Sequence, residues 1–251
     1  MKNCDRTLVP DDGFFFGLSV FETIGLEQGH PLFLREHLER MNASAAALGI
    51  DARLTSEQVL DWLRRADHPL LEHGGLKIVL SRENLFFLIR ENPYRREQYE
   101  RGFLVDYSAV RRNETSPLVC HKTANYGDCI LENRACHAAG MDERIFLNSR
   151  GELTEGTVSN LFFLREGKLY TPAASCGLLP GVIRRYLLEQ EQAREAVILP
   201  GQVPDYEACF LTNSLLGIMP VRQLGKHVFP DLSQPLQIRS RYLNILYRQM
   251  P

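Results

Sequence analysis

The sequence predicts a mixed α/β (α+β) fold in two domains, and three observations carry that expectation. Runs of strand length alternate with stretches of helical periodicity along the chain, 44% of the residues are hydrophobic, and a polar, proline-containing break falls at residues 113–117. A chain of 251 residues with that apolar content can build one large core or two modest ones. The break divides it into a smaller N-terminal α/β domain over 1–112, a linker over 113–117 and a larger C-terminal domain over 118–251.

Each element has a local reason. "SVFETIGLEQGHPLF" alternates apolar and polar residues, turns at Gly29 and resumes as a second short strand. Leu38, Met41, Ala45 and Leu48 then recur at helical spacing until Gly49. "TSEQVLDWLRRAD" begins with a Thr55 or Ser56 cap, and "GLKIVLSRENLFFLIREN" reads as two strands around a short turn. After the break come a strand at 118–120, a helix at 125–139, a strand at 144–147 and a turn at Arg150-Gly151. A hairpin folds about Glu166-Gly167, and a helix starts near Pro180. Strands at "AVIL", "EACFLTN" and "IMPVRQL" precede a closing amphipathic helix.

Composition excludes several classes of function. Charge is near balance, 29 Lys+Arg against 31 Asp+Glu, so the footprint of a nucleic-acid binder is missing and a small-molecule partner is expected instead. No apolar run reaches the roughly 20 residues a membrane span needs, and no secretory stretch opens the chain, so a cytoplasmic protein without a membrane partner is expected. Six cysteines without a C-x-x-C pair predict neither a disulfide framework nor a zinc site, only small buried side chains. The seven histidines lack metal-ligand spacing, so no metal is expected. The "FFF" at 14–16 is expected in the core or in a subunit interface.

Against that background one lysine stands out in "HKTANYG", because the chain otherwise carries most of its positive charge on arginine. Lys122 sits just ahead of a helix, where an amine projects into a cleft and can condense with a carbonyl; the plain alternative is a surface loop lysine. In "GELTEGTVSNLFF", Glu155 is a carboxylate among small residues that could accept a hydrogen bond from a protonated pyridine nitrogen, or simply a turn acid. "GLLPGVIRRYLLE" offers the amides of Val182 and Ile183 at a helix start to a phosphate, although Pro-Gly is also ordinary helix punctuation. "FLTNSLLGIMPV" places Thr212, Asn213 and Ser214 at a strand end, as donors or as turn residues.

Together with "FETI", "LREHLERMNASAAALG", "DERIFLNSRGELTEGTVSNLFF" and "LYTP", these segments resemble the class IV pyridoxal-phosphate (PLP) enzymes. That group contains branched-chain and D-amino-acid aminotransferases and 4-amino-4-deoxychorismate lyases. The resemblance implies a two-domain fold with a C-terminal pseudo-barrel, PLP as cofactor, a small-molecule amino substrate and a homodimer. It implies that Lys122 bonds the cofactor and shuttles protons, that Glu155 faces the pyridine nitrogen, and that Arg40, Val182, Ile183 and Ser214 hold the phosphate. Tyr126 would lie at the cofactor ring, Asn160 would brace the cofactor shell, and Glu22, Thr23, Arg82 and Asn213 would line the substrate. The short spacing in "KTANY" and the loop "TNSLLGIMPV" point to a lyase that releases pyruvate to give 4-aminobenzoate for folate. An aminotransferase and an inactive binding protein stay as alternatives. Gly25 stands where many relatives carry Arg or Lys, Ile183 where threonine is common, and the segment after Arg82 departs from the usual Gly-rich loop.

Overall fold

A computed structural model describes residues 8–249, and the chain divides into two compact units: residues up to 91 together with Lys122–Asn125, and residues 92–121 with 126 onward. The boundary expected at 113–117 is thereby corrected. The strand at Phe103–Arg112 pairs with strands of the second unit, and those hydrogen bonds outweigh the polar composition that follows it. Among the described residues no helix is long and apolar enough to cross a membrane.

The first unit opens with a short helix α1 (Asp12–Phe16), capped by Asp11, which also accepts from Ser81 Oγ at 2.6 Å. Then follow β1 (Val20–Glu27), β2 (His30–Pro31), α2 (Leu34–Ala47), α3 (Ser56–Arg65), β3 (His73–Leu80) and β4 (Leu85–Glu91). The strands form an antiparallel sheet in the order β2-β1-β3-β4. Because side chains alternate across a strand, Ile24, Leu26, Leu76 and Ile78 enter one core with Leu38 and Met41 of α2 and Val59 of α3. Gly49 ends α2 region at φ +69°, a conformation that costs glycine nothing. Thr55 starts α3 with a reciprocal capping box to Gln58. The segment Lys122–Asn125 docks beside β1: Phe21 N donates to Lys122 O at 2.9 Å, and Ala124 N to Ser19 O at 2.9 Å.

The second unit contains α4 (Arg96–Arg101), β5 (Phe103–Arg112), α5 (Gly127–Ala138), β6 (Glu143–Asn148), β7 (Leu153–Gly156), β8 (Asn160–Arg165) and β9 (Lys168–Pro172). It continues through α6 (Val182–Gln190), β10 (Arg194–Ala196), β11 (Ala208–Asn213), β12 (Gly217–Leu224), β13 (His227–Val228) and α7 (Ser233–Gln249). The nine-stranded sheet runs β10-β9-β8-β11-β12-β5-β6-β7, with β13 on β12, and β7 pairs back onto β8 through Glu155 and Asn160. That closing pair turns β8-β11-β12-β5-β6-β7 into the expected barrel-like ring. Leu161, Phe163, Leu211, Met219 and Val221, all fully buried, belong to its core.

Two expected strands change. Residues 118–120 form turns, with Val119 N and His121 N closing on Ser116 O and Leu118 O. The strand expected over "AVIL" lies two residues earlier, as β10, because its parallel partner β9 fixes the register. Cys129, Cys136, Cys176 and Cys209 are buried and Cys120 is exposed, while Cys4 lies outside the described residues.

Candidate active site

In the first unit, β1 alternation carries Glu22 to the core face with Val20 and Ile24, and leaves it with no solvent exposure. A buried carboxylate must be paired. Arg40 binds it through both ends of its fork, Nε to Oε1 at 2.8 Å and Nη2 to Oε2 at 2.7 Å, and His37 Nδ1 lies 2.7 Å from Oε2. Burial by itself would raise the Glu22 carboxyl, but Arg40 and His37 outweigh it and hold the group at about 2. His37 is pushed below its ordinary range by burial despite Glu22, so near neutrality it is an uncharged imidazole donating Nδ1–H to the carboxylate.

These shifts set a pH dependence. Both groups bind protons more tightly in the unfolded chain, so stability falls as pH drops, first below the ordinary histidine value of 6.5 and then from 4.5 toward 2 for Glu22. His37→Gln is expected to lose the decline that begins below pH 6.5 in Tm-against-pH curves. An unaltered slope there would refute the buried neutral imidazole.

Lys122 places its Nζ 4.5 Å from the centre of the Phe21 ring, on the sheet face opposite that core. Thr23, the next residue on this second face of β1, is half-buried. Arg40 keeps 12% of its side chain exposed, and Glu22 orients its guanidinium.

In the second unit, Glu155 ends β7 with only 5% exposure. Arg112 Nη2 donates to Glu155 Oε1 at 2.5 Å, while Leu179 N and Asn160 Nδ2 donate to Oε2 at 3.1 and 3.4 Å. Burial alone would lower the Arg112 guanidinium, and the Glu155 charge beside it reverses that shift. Asn160 also donates to Leu179 O at 2.9 Å and so fixes the chain just ahead of α6. A side chain at Gly181 would come within 2.0 Å of Asn160 Oδ1, so glycine is what lets the helix start so close.

No side chain caps α6, which leaves its first-turn amides, including those of Val182 and Ile183, for an anion. Thr212 Oγ1, on the strand that pairs with Asn160, is buried without a hydrogen-bond partner among the described residues. Tyr126 donates its hydroxyl to Thr157 O at 3.1 Å, and loss of solvent raises its phenol well above its ordinary value. A second buried acid, Glu143, accepts from Thr157 Oγ1, Thr157 N and Ser159 Oγ at 2.5, 3.0 and 2.8 Å, and thereby pins the turn that receives Tyr126.

A phosphate matches the uncapped helix start and the orphaned Thr212 hydroxyl, a protonated ring nitrogen matches the Glu155 carboxylate, and an aldehyde matches the Lys122 amine. The residues present therefore suit PLP. The family model for class IV amino-transferases matches residues 19–224. The chain belongs to that family. It is 26% identical over 250 residues to an aminodeoxychorismate lyase of Bacillus subtilis, spanning 89% of this chain and 84% of that one. It is 28% identical over 244 residues to a putative branched-chain-amino-acid aminotransferase of Methanocaldococcus jannaschii, with the same two coverages. Among solved structures, a putative 4-amino-4-deoxychorismate lyase from Legionella pneumophila superposes with a TM-score of 0.81 at 28% identity, covering 95% of this chain and 96% of the other. The class IV chain is thus a PLP-dependent enzyme.

Not every expected residue keeps its role. Glu22 lines no substrate: its side chain has no solvent exposure, and it braces Arg40 from inside the core. Asn213 accepts from Leu215 N and Leu216 N and donates to Tyr94 and Val158, which makes it the latch of its own turn and not a substrate contact. Arg82 lies exposed in the β3–β4 turn. Asn160 is engaged with Glu155 and Leu179, so its action on a cofactor passes through them. Ser214 follows the latch, half-buried. Sequence reasoning missed His37, Arg112 and Glu143. His37 and Arg40 lie one helical turn apart and face an acid on an apolar strand face, a signal that was legible. Arg112 looked like the edge of a linker.

Proposed function

We propose that this class IV enzyme is an aminodeoxychorismate lyase, which eliminates pyruvate from 4-amino-4-deoxychorismate to give 4-aminobenzoate for folate biosynthesis in the cytoplasm. The observation that carries the choice is the turn latched by Asn213: Leu215 and Leu216 follow Ser214 there, where aminotransferases of the group tend to place small hydroxylated residues. The lyase of Bacillus subtilis supports the same reading. Bound PLP supplies an electron sink for charge developing next to the substrate amine.

The chain's own groups do the rest. Lys122 is the one placed to bond the cofactor and then to take and return a proton as its amine. Arg40, held rigid by Glu22, and the α6 amides bind the phosphate. Glu155, oriented by Arg112, keeps a carboxylate for the ring nitrogen. Thr23 belongs to the substrate side. Incubating the purified protein with PLP and aminodeoxychorismate is expected to yield pyruvate and 4-aminobenzoate in equal amounts with no oxo acid added. Turnover that depends on an oxo-acid acceptor would assign an aminotransferase instead.

A homodimer belongs to the same proposal. Phe14, Phe15 and Phe16 are 60%, 63% and 68% exposed, so they are not core residues, and a second copy would cover this apolar patch. Sedimentation of the holoenzyme as a monomer at micromolar concentration would rule the dimer out.

A further inference from the structure

Glu143, at the start of β6, is a buried acid that the proposed chemistry does not use. It is 2% exposed, and no cation pairs with it among the described residues. A buried carboxylate without a cation persists only where hydrogen bonds hold its charge. Here the donors converge from one short turn between β7 and β8. Thr157 N and Thr157 Oγ1 donate to Oε1 at 3.0 and 2.5 Å, and Val158 N and Ser159 Oγ donate to Oε2 at 3.3 and 2.8 Å. Arg144 N adds a fifth bond, to Oε1 at 2.9 Å. Gly156 keeps this approach open, because a Cβ there would lie 2.8 Å from Glu143 Oε2.

A trans peptide is planar, so holding its N–H in one direction holds the carbonyl opposite in the other. Val158 N–H shares its plane with the carbonyl of Thr157. The bond from Val158 to Glu143 therefore sets the direction of Thr157 O, which accepts the Tyr126 hydroxyl at 3.1 Å. One residue on, Val158 O accepts from Asn213 Nδ2 at 3.1 Å, and the Ser159 hydroxyl on Glu143 restrains the far end of that plane. Asn133 lies two helical turns beyond Tyr126 and donates to Thr157 Oγ1 at 2.9 Å, so α5 is tied to the turn at both points. Loss of solvent raises the Tyr126 phenol first, and the charges of Glu155 and Glu143 raise it further, which places both acids about one hydroxyl.

We infer that Glu143 is a positioning residue, which aims the Thr157 and Val158 carbonyls and through them orients the Tyr126 hydroxyl and anchors the turn latched by Asn213. One acid thereby sets two parts of the proposed site in the second unit together. This rests on the readings that Tyr126 lies at the cofactor ring and that the Asn213 turn serves the substrate.

The test measures PLP affinity and the visible absorption maximum of the bound cofactor in the full chain. Glu143→Ala removes every acceptor and Thr157→Val removes the shortest donor, whereas Glu143→Gln keeps an oxygen for the Thr157 amide. Glu143→Ala and Thr157→Val are expected to bind PLP about tenfold more weakly with a shifted maximum, and Glu143→Gln to stay within about threefold of wild type. In a Tyr126→Phe background the first two substitutions should weaken binding by less than about twofold more, because the hydroxyl they misdirect is already gone. At saturating PLP, Glu143→Ala should raise the KM for aminodeoxychorismate, and adding Asn213→Ala should raise it no further. Fully additive losses in the double variants, or wild-type affinity and spectrum in Glu143→Ala, would overturn the inference and leave the placement of Tyr126 standing. A Tyr126→Phe protein that itself keeps wild-type affinity and spectrum would overturn that placement, and the inference with it. Where Glu143→Ala shows no cooperative urea transition, Thr157→Val decides by the same criteria. The PLP measurements hold whether the enzyme is a lyase or an aminotransferase.

Discussion

Lys122→Ala is expected to abolish turnover, by about four orders of magnitude or more, because the group that bonds the cofactor and the group that moves the proton are the same amine. The fold should survive. What ties residue 122 to β1 is its backbone carbonyl, which accepts from Phe21 N at 2.9 Å, and alanine keeps that bond. Two measurements check the expectation. Pyruvate release should vanish while the thermal midpoint stays within a few degrees of wild type. Borohydride treatment followed by intact mass should show PLP retained on the wild type and absent from the variant. Undiminished turnover, or cofactor still fixed to the variant, would remove Lys122 from the mechanism.

The second large effect concerns stability. Glu22→Ala should cost about 3–5 kcal/mol, since it strands a guanidinium and an imidazole in the core around a side chain with no exposure. In a domain of this size such a loss lowers the urea midpoint markedly and leaves the second unit as the more resistant part. Glu22→Gln keeps an acceptor for Arg40 and His37 and should lose less. PLP affinity should fall in both variants, because Arg40 would no longer be locked in one orientation. A Glu22→Ala protein with an unchanged urea midpoint would show that the triad contributes nothing to the fold.

Legibility differed from residue to residue. The helix at α2 was readable because Leu38, Met41 and Ala45 repeat at 3.6-residue spacing and Gly49 stops them; the Glu166-Gly167 hairpin was readable because a glycine separates two β-rich arms, and Gly167 takes φ +69° there. Lys122, Glu155 and the α6 start were readable as chemical types in suggestive surroundings. The partners of those groups were not. Arg112 lies 43 positions from Glu155 in sequence, and only the pairing of β5 with β6 and of β6 with β7 carries the two side chains to one point. Asn213 resembled a donor for substrate until its turn showed its oxygen already engaged by two backbone amides.

By itself, then, the sequence determined the kinds of local structure, the two-unit α/β character and the inventory of reactive groups, since these depend on spacing, backbone freedom and side-chain chemistry over a few residues. Tertiary structure alone decided where the units divide, that β7 closes onto β8 as a ring, and that Glu22 serves Arg40 rather than a substrate. It also decided that Glu143 meets the Thr157–Ser159 turn. Each of those outcomes depends on strand register between distant segments, and a shift of one residue would turn Glu22 out of the core.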